Sequence, residues 1–310
     1  MALVALAILA AGVVAFDVVM ETNILSNRLD SLHLRPHNDS STSNKGPTKE
    51  ATCSPSAVNM SAIKYHSGHR YYPLLQDLTP LAPPLFQNEH TVLCNESCRH
   101  DSTLSYCLPI SGRKDSPFCT GADRMDLLTP HSAQSRCYAS VLHMLLIEVY
   151  EELQALGRTP LLVFGSLLGA VRNGSMIPFT EDTDIAYNGQ LDTHGEISRA
   201  LVAKGYHVFF LDIWRVCVAP THPLAARLYD PRLSITANFL VPYLDLYAMD
   251  KLNDTDWSME CFSDRTLPHD KMHPFSQVTI NGLSFDTVAD PSYFLRKMYG
   301  EGYMTPKPRE

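Results

Sequence analysis

Asp182 and Asp184, two aspartates two residues apart, are the side chains whose type and spacing most plainly invite chemistry. They lie near the end of the stretch LLVFGSLLGAVRNGSMIPFTEDTDIAYN, residues 161–188. On a strand, positions i and i+2 point to the same face, so the two carboxylates crowd each other. Like charges this close repel unless something positive sits between them. A divalent cation bound by oxygens is the usual answer. The flanks, Ile177-Pro178-Phe179 and Ile185-Ala186-Tyr187, are apolar enough for a core, which argues against a solvated turn with incidental acids. A third carboxylate would complete the site or serve as general base for an attacking hydroxyl. Asp245 is the candidate. It sits between Leu244 and Leu246, and a lone acid inside an apolar strand is costly unless paired or metal-bound. Asp250 and Asp212 read as turn acids. Upstream, Gly165-Ser166 reads as a turn whose backbone N–H groups can hold a phosphate. Arg172 can add a charge-assisted contact to that phosphate. Arg215, in Ile213-Trp-Arg-Val-Cys217, is a further candidate to face the substrate. Together these residues describe metal-assisted phosphoryl or nucleotidyl transfer.

Such residues need a scaffold, and the flanking pattern supplies one. Leu161 to Phe164 reads as a short buried strand, broken by Gly165-Ser166. Ahead of it, Thr129-Pro130 reads as an N-cap and N1 pair. Apolar residues then recur at three- and four-residue steps from Tyr138 to Leu156, with Gly157 as a C-cap. His143 falls on the polar side of that helix and reads as solvated. Further on, residues 191–204 read as a helix closed by Gly205. Residues 206–211, 213–219, 233–239 and 243–248 read as strands, and 250–275 as polar and irregular. Asn281-Gly282 between Gln277-Val-Thr-Ile and Leu283-Ser-Phe-Asp is a hairpin signal. Asp290-Pro291 starts a last helix that Gly300 ends. Helices mixed with short, partly hairpinned strands make an α+β domain.

The totals set bounds. The chain has 310 residues, is 45% hydrophobic and 19% charged, and can bury a sizeable core. A net charge of -8 argues against a nucleic-acid binder that works by neutralising phosphates. Residues 2–16 are almost wholly apolar and read as a signal peptide or signal anchor within residues 1–20. Residues 21–52 have few apolar side chains and read as a stem or linker. Residues 53–126 are rich in Pro and Cys and read as a loop-rich module. Eight cysteines, five of them from Cys94 to Cys137, suit disulfides in an oxidising lumen better than zinc, since no C-x-x-C pair occurs. Sequons at Asn38, Asn59, Asn95 and Asn253 are read as glycosylated. A fifth, at Asn173, falls inside the proposed active-site loop. It is expected to stay unmodified, because a glycan there would block the site. These features together point to the secretory pathway.

Gly-Ser followed by D-x-D is the logic of the nucleotidyltransferase fold related to DNA polymerase beta. The longer string GSLLGAVRNGSMIPFTEDTDIAY resembles the LicD-type phosphotransferases, in particular the branch with fukutin and fukutin-related protein. The later Tyr-Leu-Asp245-Leu-Tyr and the end SQVTINGLSFDTVADPSYFLRKMYG fit the same family in the same order, so the resemblance covers roughly residues 126–310. It implies a nucleotidyltransferase-like mixed sheet with flanking helices over residues 127–310. It also implies transfer of a phosphorylated alcohol, such as alditol phosphate or phosphocholine, from a CDP-linked donor to a glycan hydroxyl. On this resemblance Asp182, Asp184 and Asp245 hold Mg²⁺ or Mn²⁺. Gly165, Ser166, Arg172 and Arg215 face the donor. The expected setting is the Golgi or another secretory lumen, as a single-pass type II membrane protein, or else secretion. The stem and Cys-rich module would present the catalytic domain to a glycoprotein acceptor, or dimerise. The family usually reads Pro-Trp-Asp-x-Asp-x-Asp here, whereas this chain has Pro178-Phe179-Thr180-Glu181-Asp182-Thr183-Asp184. That departure favours the alternative of a non-catalytic glycan-binding or chaperone-like member. A sugar-phosphate nucleotidyltransferase is the other alternative, and luminal features argue against it.

Overall fold

A computed structural model describes residues 51–78, 81–95, 106–132, 134–235, 242–262 and 266–306. Residues 50–310 form one compact unit. Its centre is a nine-stranded mixed sheet. After a two-stranded pair, β1 (Thr52–Cys53) and β2 (Phe86–Gln87), the sheet strands are β3 (Leu161–Leu162), β4 (Asp182–Asn188), β5 (Tyr206–Leu211), β6 (Ile213–Val218), β7 (Tyr243–Lys251), β8 (Asp256–Met259), β9 (Thr266–Pro268), β10 (Ser276–Ile280) and β11 (Leu283–Thr287). The order across the sheet is β10-β11-β3-β4-β7-β6-β5, with β8 and β9 continuing from the far end of β7. β4 and β7 run parallel, and β6 pairs antiparallel with β7. The Asn281-Gly282 turn joins β10 to β11, and both residues have positive φ, as a type I′ hairpin requires.

The longer helices are α1 (Tyr71–Asp77), α2 (Tyr138–Ala155), α3 (Phe164–Asn173), α4 (Glu196–Ala203) and α5 (Pro291–Tyr299). Alternation along the strands divides the core. Ile185, Leu244 and Leu246 join the cluster under α2, while Ala186, Tyr247 and Met249 join the one under α3 and α5. The architecture is therefore the expected α+β arrangement of a mixed sheet with flanking helices.

Several local expectations are corrected. Thr129 does not start α2. It ends the 3-10 helix Arg124–Leu128, and α2 begins after Cys137. His143 is fully buried, because the Cys-rich segment covers the side of α2 that the sheet leaves open. There it accepts the Arg124 N–H at 3.1 Å. Residues 250–275 carry the end of β7 together with β8 and β9 rather than irregular chain. Within 233–239, residues 233–235 form no strand, and the rest lies outside the described residues.

Among the described residues three disulfides join Cys53–Cys94, Cys107–Cys217 and Cys119–Cys137. They fit a secreted or lumenal protein. Among the described residues no helix is long and apolar enough to cross a membrane. The expectation of a single-pass type II membrane protein is corrected accordingly. The apolar run at 2–16, the stem and the Asn38 sequon lie outside the described residues.

A second buried polar group lies on the α2 side. Lys204 Nζ pairs with Glu152 at 2.8 Å and Glu148 at 3.3 Å. The fully buried Arg124 lies 3.9 Å from Glu148 and stacks over the rings of Tyr71 and Tyr72.

Candidate functional site

Register alone brings the acids together. In the parallel pair β4–β7, Asp184 stands opposite Asp245, and in β6 Arg215 stands opposite Asp245. Three neighbouring strands thus place Asp184, Asp245 and Arg215 in one row. Asp182 lies two residues before Asp184 on the same face. One carboxylate oxygen from each of Asp182, Asp184 and Asp245 lies within 4.8 Å of the others. Asp184 and Asp245 are buried, and Asp182 is half-buried.

The start of α3 fixes Asp184. Phe164 has φ 41, a strained value for a bulky residue. Its ring is held against Tyr247 and Phe294, which supports that backbone. The turn aims the Ser166 N–H at Asp184 Oδ2, 3.1 Å away. In return the Asp184 N–H donates to Ser166 Oγ at 2.7 Å, and Ser166 Oγ also lies 2.7 Å from Thr183 Oγ1. A Cβ at Gly165 would meet Asp184 Oδ2 at 3.0 Å, so glycine leaves room for the carboxylate. The positive end of the α3 dipole faces the same oxygen.

The other acids have their own partners. Thr180 Oγ1 donates to Asp182 Oδ1 at 2.7 Å. Arg215 Nε donates to Asp245 Oδ1 at 2.8 Å. The Tyr247 hydroxyl lies 3.3 Å from both Asp184 Oδ1 and Asp245 Oδ2 and bridges them.

These contacts do not balance the charge. Burial pushes the Asp184 carboxyl well above the usual range. The charges of Asp182 and Asp245 push it the same way, against the Ser166 N–H and Tyr247. Burial also lifts Asp245 to about 6, opposed chiefly by Arg215 and reinforced by Asp182. Three converging carboxylates with two raised pKa values form a hard-oxygen donor set that fits Mg²⁺ or Mn²⁺. The cluster opens into a cleft of about 420 Å³ walled by Phe164, Leu168, Phe179, Cys261, Met298 and Tyr299.

The remaining sequence candidates are placed as follows. Gly165 lines the cleft, but the Gly-Ser pair is occupied with Asp184, and the Ser166 N–H is not left open for a phosphate. Arg172 does not line the cleft. Its Nε donates to the Tyr303 carbonyl at 2.7 Å and so holds the C-terminal segment. Arg215 is at the site, but as the partner of Asp245. Asn173 ends α3, at the opposite end from the acids, about 15 Å away for a ten-residue helix. A glycan there would not sit in the cluster. Asn59, Asn95 and Asn253 are exposed. Sequence reasoning missed Tyr247, Thr183 and Tyr299, and noted Thr180 only as a departure from the family motif, not as the partner of Asp182. Tyr247 was within reach, since it follows Asp245 by two and shares its face. Thr183 and Tyr299 gave no local signal.

Residues 157–287 match the family model for the LicD/FKTN/FKRP nucleotidyltransferase domain. These residues carry a LicD-type domain. The match spans α3, β4 and β7, and so includes all three aspartates. A LicD-type domain points to a transferase with phosphotransfer-type activity. No curated protein matches the chain.

Proposed function

We propose that this protein transfers a phosphorylated alcohol, an alditol phosphate or phosphocholine, from a CDP-linked donor to a glycan hydroxyl. The observation that carries the reading is the convergence of Asp182, Asp184 and Asp245 at the head of one cleft. These three residues would hold Mg²⁺ or Mn²⁺, which supplies charge neutralisation to the phosphates when bound. The chain's own residues do the positioning. Ser166 and the start of α3 orient Asp184, Thr180 orients Asp182, and Arg215 with Tyr247 orients Asp245. Asp245 would complete the metal site or serve as general base for the acceptor hydroxyl. Phe164, Phe179 and Tyr299 give the cleft aromatic walls.

Thr180 in place of the family acid favours a second reading, a glycan-binding member without turnover. Against it stands the contact from Thr180 to Asp182, which keeps the remaining acids in place. The test incubates the purified full chain with Mn²⁺, a panel of CDP-linked donors and acceptor glycans, and follows CMP release. Asp182→Ala and Asp184→Ala should abolish release. Equal release from wild type and variants would sink the proposal. Pyrophosphate in place of CMP would identify a nucleotidyltransferase, and glycan binding without release would favour the second reading.

A further inference from the structure

A second cavity lies on the acid-bearing face of the sheet, at the other end of the same strands. Asn188 follows Asp184 by four residues on β4, and Met249 follows Asp245 by four on β7, about 13 Å along each strand. Tyr247 and the core under α3 and α5 separate the two places. The cavity measures about 310 Å³ and carries an unusual share of aromatic wall: Trp257, His269, His273 and Phe275.

Two of these rings act as one surface. Trp257 Nε1 donates to His269 Nδ1 at 2.9 Å, and their planes differ by 17°. An in-plane hydrogen bond between nearly parallel rings sets them side by side, as a flat floor wider than either ring. Phe275 stands at 67° to Trp257, with centroids 6.2 Å apart, and forms a wall to that floor. His273 lies edge-on to Phe275. The indole N–H is already satisfied, so the corner offers ring surface rather than an indole donor. The same bond makes Nδ1 of His269 an acceptor, which leaves the proton of the neutral ring on Nε2.

Met249 and polar groups line the rest. The Asn188 amide oxygen accepts the Thr159 N–H at 2.6 Å, which fixes the amide and leaves its NH₂ as a donor. Lys251 is paired with Asp254 at 3.0 Å, so its charge is compensated. An aromatic corner, a few hydroxyl-matching donors and no uncompensated lysine suit a ligand with an apolar face, a hydroxylated rim and no charge. A pyranose ring has that form, and the cavity holds one or two such rings.

We propose that this corner is a carbohydrate-binding site for a neutral saccharide residue, stacked on Trp257 and His269 and bounded by Phe275. It is separate from the acid cluster and needs neither metal nor donor, so it stands or falls independently of the phosphotransfer reading. The test uses the full chain without metal, titrated with methyl glycosides of glucose, galactose, mannose, xylose, N-acetylglucosamine and N-acetylgalactosamine. Binding is read by saturation-transfer NMR and by tryptophan emission. At least one glycoside should bind in the millimolar range and change the emission of Trp257; the other tryptophan, Trp214, packs against Phe210 on the β5–β6 hairpin. Trp257→Ala and Phe275→Ala should each weaken that binding at least tenfold, while Asp182→Ala leaves it unchanged. If Trp257→Ala does not fold, as judged by circular dichroism, Phe275→Ala decides. The proposal is overturned if no glycoside binds at 50 mM, if the folded variants bind like wild type, or if cytidine competes for the corner more strongly than every sugar.

Discussion

Two of the groups of charged side chains buried among the described residues differ in their bookkeeping. On the α2 side, Arg124 and Lys204 face Glu148 and Glu152, two cations against two acids. On the α3 side, three aspartates share one arginine, Arg215. The first group is balanced in charge, and its aromatic neighbours stack on Arg124. The second keeps surplus negative charge beside an open cleft. Burial of charge therefore does not itself mark a site. Burial with a charge left over, facing solvent-sized space, does.

The sharpest way to break this comparison is to remove one acid from each group. Glu148→Ala should destabilise the fold by about 3–5 kcal/mol, since it strands buried cations. Urea denaturation followed by circular dichroism measures this, and a loss under about 1 kcal/mol would mean the α2 group does not act as a balanced unit. Asp184→Asn should do the opposite. Its amide oxygen can still accept the Ser166 N–H, and relief of repulsion should raise metal-free stability at neutral pH by about 1 kcal/mol. The same change should cut phosphotransfer by about 10²–10³-fold. A variant that loses stability and keeps activity would reverse the assignment of the two groups.

A smaller effect is expected at Tyr247. Tyr247→Phe removes the bridge between Asp184 and Asp245, and should weaken Mn²⁺ affinity about 10-fold by calorimetry, with little change in fold. The smallest effect sharpens the electrostatics. Asp245 is raised to about 6, so the metal-free fold prefers its protonated form. Metal-free stability should fall as pH rises from the ordinary carboxylate range through about 6, and Mn²⁺ affinity should rise over that window. The Mn²⁺-induced increase in melting temperature should thus be larger at pH 7.5 than at pH 5. Equal increases would show that Asp245 does not titrate with the site.

Much of the acid site is legible in the sequence. Period-two alternation puts Asp182 and Asp184 on one face, and an acid between two leucines singles out Asp245. The Asn281-Gly282 hairpin and the Asp290 cap are legible because their signals are local; the Asp290 side chain accepts the Tyr293 N–H. Ser166 is harder. Its types suit a phosphate, but its actual partner lies eighteen residues on in sequence, and only the start of α3 at Phe164 makes them meet. The contact of Arg172 is equally hidden, because it is made to a carbonyl in the C-terminal segment. His143 reads as solvated because a helix pattern shows the face toward the sheet, not what an earlier segment lays over the other.

That earlier segment has a further consequence. Cys107 is bonded to Cys217, two residues from Arg215 on β6, across a separation of 110 residues. α2, which covers one face of the sheet, precedes the family-matched residues 157–287, and Tyr299 of the cleft follows them. The family-matched span is thus smaller than the compact unit of residues 50–310. Trimmed to its matched residues, the chain would lose a long-loop crosslink worth about 4–5 kcal/mol, the lid over half its core and one wall of its cleft. The compact unit of residues 50–310 is drawn by its crosslinks and its packing, and the family-matched segment occupies only the middle of it.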